Sequence, residues 1–315
     1  MQYPRMLRIA QHIKAPRIDD VVGAVRNEVG KLNLSRRIHP ADTIAITAGS
    51  RGIANIALIT KTLVEELKRY GAKPFIVPAM GSHGGGTVEG QRAIIEEYGI
   101  TEEYVGAPIK ASMDVVQVAR TEEGIPVFFD KYAYQADHVI VVNRVKPHTD
   151  FVGDIESGLH KMMLIGLGKH RGASIYHRAI VHYSFGRMIR AVSQAVIDTC
   201  HVLLGLAIVE NQKHETALIE AIRPDDFFER EKALLHQAKQ WMPRLPFNAA
   251  DLLIVDQMGK NISGGGMDAN VVGRKFNYHR AVEEEYPKIT RIYVRALTEA
   301  THGNAAGIGL ADYAH

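Results

Sequence analysis

The chain has 315 residues, enough for one large domain or two modest ones. Its 38 basic and 35 acidic residues nearly balance, which argues against a nucleic-acid platform, and no basic run stands out. Cys200 is the single cysteine, so a disulfide framework and cysteine-ligated iron–sulfur or structural zinc sites are excluded, and any metal chemistry rests on His, Asp, Glu or a cofactor.

The opening stretch MQYPRMLRIAQHIKAPRIDD lacks the apolar core of a signal peptide. No later run reaches the roughly 18 apolar residues of a membrane span. The expectation is a cytoplasmic protein with no membrane or nucleic-acid partner.

In chain order, TIAITA at 43–48 reads as a buried strand. A helix follows over 53–70, where Ile56, Ile59, Leu63, Val64 and Leu67 recur at helical spacing and Gly71 supplies a stop. The next strand is 73–80, followed by GSHGGGT and a helix over 88–98. Short strands are expected at 114–119 and 127–129, and a buried one at 137–143. The polar segment after it reads as loop as far as a helix at 187–200, which precedes a strand at 205–210 and a helix at 225–241. The segment MPRLPFNAAD reads as a linker, followed by strands at 251–256 and 291–297.

Alternating strands and helices predict two α/β domains with mainly parallel sheets and an active site in the cleft between them, at the carboxyl ends of strands. Residues 1–242 read as the first domain. Residues 243–315 read as the start of a second, smaller one, and the loop-like ending THGNAAGIGLADYAH predicts that it is cut short.

Four polar loops follow strands. In AGSRG, Gly49, Ser50 and Gly52 let backbone amides approach an anion, and Arg51 offers a forked donor. In GSHGGGT, His83 precedes three glycines whose backbone entropy a mere turn would rarely justify. Neither loop matches the P-loop or the dinucleotide fingerprint. In VKPHTDFVGDIESGLHK, His148 lies five residues beyond its strand, and Pro147 holds Lys146 extended. Lys161 and His177 follow, sixteen residues apart. In DQMGKNISGGGMD, Gln257 and Lys260 stand three apart. Singly, each has a plain explanation as a solvated or capping side chain.

Together these positions resemble the nickel-dependent lactate racemase family, over about 48–260 of the chain. GSH with His83 and KPH with His148 match the two catalytic histidines. Arg51, Gln257 and Lys260 match residues that face the substrate. Lys161 matches the lysine that tethers the cofactor, with His160 as a competing candidate, and His177 matches the metal ligand. The sequence departs from the pattern at Ala48, Gly52 and Gly84, and VGDIESGLHK is longer than the family segment.

The resemblance implies a nickel-pincer nucleotide cofactor. It implies hydride transfer on a 2-hydroxy acid, with the two histidines exchanging its hydroxyl proton, and dependence on cofactor-biosynthesis proteins. The amides of Gly49–Gly52 would hold the cofactor phosphate. Other readings stay open: a zinc or iron hydrolase or lyase built on His83, His148 and His177, or a non-catalytic binding protein for a sugar acid or nucleotide.

Overall fold

The computed structural model describes residues 6–276 and 279–315. Two compact units divide the chain: Arg17–Met242, and Pro243–His315 together with the N-terminal segment ending at Pro16. The sequence reading placed that segment in the first domain. It forms no helix or strand over residues 6–16, so no periodicity in it indicates where it belongs.

The larger unit contains α1 (Val21–Lys31), β1 (Thr43–Ala48), α2 (Ile56–Arg69), β2 (Lys73–Pro78), α3 (Val88–Glu97) and the short α4 (Glu102–Val105). The hairpin strands β3 (Val115–Arg120) and β4 (Pro126–Asp130), the short α5 (Lys131–Tyr134) and β5 (His138–Arg144) follow. Next come α6 (Leu159–Lys161), α7 (Lys169–Tyr183), α8 (Phe185–Thr199), β6 (Val202–Glu210), β7 (Thr216–Ile222) and α9 (Phe227–Trp241).

The main sheet has the order β2-β1-β5-β6-β7, parallel except for β7. Its strands are apolar on both faces because both are covered. Ile44, Ile46, Ile140, Val142, Leu204 and Leu206 pack toward α1 and α2. Ala45, Val139, Val141, Ala207 and Val209 pack with residues of α7, α8 and α9. The strand period of two sends alternate residues into these two cores, giving three layers.

The smaller unit holds β8 (Ala249–Val255), α10 (Ala269–Val272), β9 (Lys288–Val294) and β10 (Tyr313–Ala314). Its strands form a parallel sheet of order β10-β9-β8. Met258, Met267, Ile289, Ile292 and Leu310 form its core. Arg274 is fully buried there and donates to Leu310 O (3.0 Å) and Asp312 Oδ2 (2.8 Å).

The expected strands and helices form within a few residues of their predicted bounds. The unexpected elements are α1, β7 and α7, with the short α4, α5, α6, α10 and β10. The segment GKHRGASIYH was read as loop, yet it lies at the start of the fifteen-residue α7. Its buried positions are Lys169, Gly172, Ala173, Tyr176 and Ala179, mostly too small or too polar to register as an apolar stripe.

Candidate active site

Sheet order places the site. β1 leads through α2 to β2 on one side, while β5 leads through α6–α8 to β6 on the other. The strand order therefore reverses between β1 and β5, and the crevice outside their carboxyl ends is where open α/β sheets take ligands. The loops after β1, β2 and β5, which carry Arg51, His83 and His148, all leave that edge.

Contacts join these loops to the helical segment that follows. The Ser50 hydroxyl meets His83 Nδ1, so the β1 and β2 loops touch through the histidine ring. Tyr98 OH donates to Ser50 O (3.3 Å). A Cβ on Gly49 would stand 3.2 Å from Met162 Cε, which puts the β1 loop against the residue after Lys161. Gly81 N donates to Gly166 O (3.3 Å), fixing the His83 loop to the same segment.

That segment is a π-helical turn, Met162–Gly166, in which Leu167 N donates to Met162 O five residues back (2.9 Å). Such turns are frequent at functional sites. Here the turn separates α6, which ends at Lys161, from α7, which carries His177.

Charge and burial then set the chemistry. Burial, with Arg51 and Lys146 nearby, lowers the half-buried Lys161 amine to about 8 against the opposing pull of Asp150. Burial, with Lys161 nearby, also lowers the His177 imidazole, disfavouring its charged form. Arg51, Lys146, Lys161 and His177 therefore share one electrostatic neighbourhood.

The β5 loop is pinned at its base. Lys146 pairs with Ser157, and Asn143 Nδ2 donates to Gly158 O (2.7 Å). The buried carboxylate of Glu156 accepts from His148 N (2.8 Å) and from Lys239 Nζ (2.7 Å). The His148 ring lies 4.6 Å from that of Phe151, which stacks on Phe185 at 4.3 Å.

Glu156 and Ser50 thus position the two histidines, a role their sequence context alone does not announce. A third support is buried. Gln91 Nε2 donates to Gly81 O (2.9 Å) and His83 O (3.2 Å), while Lys169 Nζ donates to Pro78 O and faces Asp130.

Two expectations need correction. His160, the competing tether, is buried away from this neighbourhood: its Nδ1 lies 2.7 Å from the buried Glu231 on α9. The helix expected from residue 53 begins at Ile56, and Ala54 N is already satisfied by Glu210 Oε1 (2.6 Å). A carboxylate thus sits where the helix end was expected to favour a phosphate. Glu210 in turn pairs with Arg144.

Gln257 and Lys260 lie in the smaller unit, exposed on the loop after β8, where Lys260 N donates to Thr301 Oγ1 (3.1 Å). A cavity of about 440 Å³ flanks α7, lined by Gly86, Met113, His170, Arg171, Ser174 and Arg178 among others, and it includes none of the predicted site residues.

The doubly wound sheet brings the loops of Arg51, His83 and His148 to one edge, with Lys161 near Arg51 and His177. The lactate racemase N-terminal domain family matches residues 7–186, more than half of the chain, and the chain belongs to that family. In structure it is similar to the lactate racemase apoprotein from Thermoanaerobacterium thermosaccharolyticum, with a TM-score of 0.57, 14% identity, and coverage of 88% of this chain and 67% of that one. It is also similar to a protein from Thermotoga maritima, with a TM-score of 0.62, 12% identity, and coverage of 90% and 72%. At such identities the likeness speaks for the fold. Comparison with curated proteins gives no match. Among the described residues, no helix is long and apolar enough to cross a membrane.

Proposed function

We propose that this protein is a racemase or epimerase of a 2-hydroxy acid that works with a nickel-pincer nucleotide. The observation that carries the reading is the convergence of Arg51, Lys161 and His177 beside the π-turn, with the lysine amine held at about 8.

The donor set fits the cofactor. Among the described residues no three His, Cys, Asp or Glu side chains cluster to hold a metal ion. His83, His148 and His177 therefore do not form the directly bound zinc or iron centre of the hydrolase reading. One neutral imidazole suits a metal whose other donors come from a pincer ligand. A lysine with a substantial neutral fraction near pH 8 suits covalent attachment. His177 would hold the metal and Lys161 would tether the nucleotide, supplied by cofactor-biosynthesis proteins.

When bound, the group supplies a hydride acceptor and donor. The chain supplies the rest. Arg51 would hold the substrate carboxylate. His83 and His148 address the hydroxyl oxygen, whose proton must leave as the Cα–H bond breaks toward the 2-keto acid.

Nickel analysis and a chiral screen of lactate and malate enantiomers test this, using protein co-expressed with the cofactor-building enzymes. The expected result is nickel bound in near-equal ratio, absorption above the protein range, and interconversion of one enantiomeric pair that His83→Ala abolishes. Absence of nickel and of turnover, or a His83→Ala variant that binds a sugar acid unchanged, would instead favour the binding-protein reading.

A further inference from the structure

We infer that Glu231 is a positioning residue for Lys161: with His160 and Ser193 it forms a buried clamp that fixes the single helical turn on which the lysine stands. The purpose given to the clamp rests on the reading of Lys161 as the cofactor's anchor. The clamp itself rests on contacts within the larger unit.

α6 is one turn, too short to hold its own shape. Side chains from three other elements fasten its backbone. Asn143 of β5 donates from Nδ2 to Gly158 O (2.7 Å). Glu231 Oε2 of α9 accepts from His160 N (3.1 Å). Ser193 of α8 donates from Oγ to His160 O (3.2 Å). That carbonyl belongs to the peptide unit whose nitrogen is Lys161 N, so Ser193 fixes the plane from which the Lys161 side chain starts. The His160 ring adds a second bond to the same carboxylate, Nδ1 lying 2.7 Å from Glu231 Oε2, and it meets Phe227 and Phe228 edge-on. The ring is thus held on α9. Lys161 is the next residue, about 100° further around the turn, and it lies in the neighbourhood of Arg51 and His177.

As a piece of core, the clamp is costly. Glu231 and Ser193 are buried, and Glu231 Oε1 has no hydrogen-bond partner among the described residues. A buried polar atom left unpaired lowers stability, and a leucine would fill the space without that loss. Gly158 shows the same priority. Its backbone is extended, so glycine is not needed for conformation, yet a Cβ there would stand 2.1 Å from Glu231 Oε1. The side chain at 158 is given up to admit the carboxylate. Features that lower stability while fixing a polar geometry are expected beside a functional group.

The clamp acts by position. Burial, Arg51, Lys146 and Asp150 set the Lys161 amine, and the Glu231 charge is not among these causes. Removing that charge while keeping the acceptor oxygen therefore leaves Lys161 in place, whereas removing the acceptor releases the turn.

Acylation of the cofactor-free full chain tests this, at pH 7, below the value of about 8 for the Lys161 amine. The readout, by peptide mass spectrometry, is the rate at Lys161 divided by that at exposed Lys31, in variants whose melting shows a folded chain. Glu231→Gln keeps an oxygen for His160 N and should stay within about twofold of wild type. Glu231→Leu should lower the ratio about tenfold, the effect of returning the amine by one pKa unit toward its solvated value. Ser193→Ala leaves the carboxylate in place and should lower it about threefold. A ratio that does not fall in folded Glu231→Leu overturns the inference. If that variant does not fold, a ratio that does not fall in Ser193→Ala overturns it instead. Equal losses in Glu231→Gln and Glu231→Leu would show that charge acts, and also overturn it. In chain co-expressed with the cofactor-building enzymes, the fraction carrying a covalent adduct at Lys161 should follow the same order. If the wild type carries no adduct, the anchor reading fails, while the acylation ratios still decide whether Glu231 positions the lysine.

Discussion

The Lys169 ammonium and the Asp130 carboxylate lie 3.0 Å apart, and neither side chain is exposed to solvent. Burial pushes the lysine down and the carboxylate up, and each opposes the other's shift by its charge. The pair begins α7, the helix of His177, and reaches across to Pro78 O at the end of β2. It therefore ties the helix of His177 to the strand that launches the His83 loop. Lys169→Met leaves a buried carboxylate unpaired and is expected to cost about 3–5 kcal/mol, measured by chemical denaturation of the full chain. A loss below about 1 kcal/mol would mean the pair is not formed.

Gln91 holds the His83 loop directly. Gln91→Leu removes the donors to Gly81 O and His83 O; His83 O still accepts from Gly86 N, and losing the bond at Gly81 O is expected to cost about 1–3 kcal/mol. Amide hydrogen exchange should accelerate across residues 81–86 before it does in β1. Unchanged exchange there would show that the loop is held by other contacts.

The glycine run divides under substitution. Gly84 and Gly85 both have φ near +65°. A Cβ on Gly84 would stand 2.6 Å from the Gly90 carbonyl carbon, whereas one on Gly85 meets nothing within 4 Å. Gly85→Ala should cost only the left-handed backbone strain, about 1–2 kcal/mol. Gly84→Ala should cost more and disturb the His83 loop. Equal melting temperatures for the two variants would contradict the packing described.

Lys161 predicts a pH dependence. Its folded amine is lowered to about 8, below the ordinary value of 10.5. Between those limits the unfolded chain binds more protons, so this group makes stability rise with pH, and its penalty is fully present below pH 8. In cofactor-free protein, acylation at Lys161, read by peptide mass spectrometry, should have a midpoint near pH 8. Lys161→Met should remove the corresponding rise in stability. A midpoint near 10 would mean that the amine is solvated.

Cys200 should be inert. Burial raises its thiol to about 11, with only the Thr199 hydroxyl opposing. A thiol reagent at neutral pH should label it only on unfolding. Rapid labelling of the native protein would place Cys200 at the surface.

Much of the fold is legible in the chain because buried parallel strands are continuous apolar runs. TIAITA at 43–48 and the run at 137–143 need no partner to be recognised. α7 is different. Its buried face relies on Lys169, Gly172, Ala173 and Tyr176, and its exposed face carries His170, Arg171, His177 and Arg178, so neither face announces a helix. His83, His148, Lys161 and His177 were visible as polar residues near strand ends. Glu156, Gln91 and Lys169 were not, since a buried polar side chain is identified by partners distant in sequence.

The sequence by itself determined the alternation of strand and helix, and with it a parallel sheet whose ligands gather at one edge. Local periodicity and the handedness of parallel connections are enough for that. Only the tertiary structure decided the strand order that reverses between β1 and β5, the burial that lowers Lys161, and the buried Glu156 carboxylate that holds His148 N. Each depends on groups brought within a few ångströms by folding, where desolvation and hydrogen-bond direction outweigh the intrinsic chemistry of any one residue.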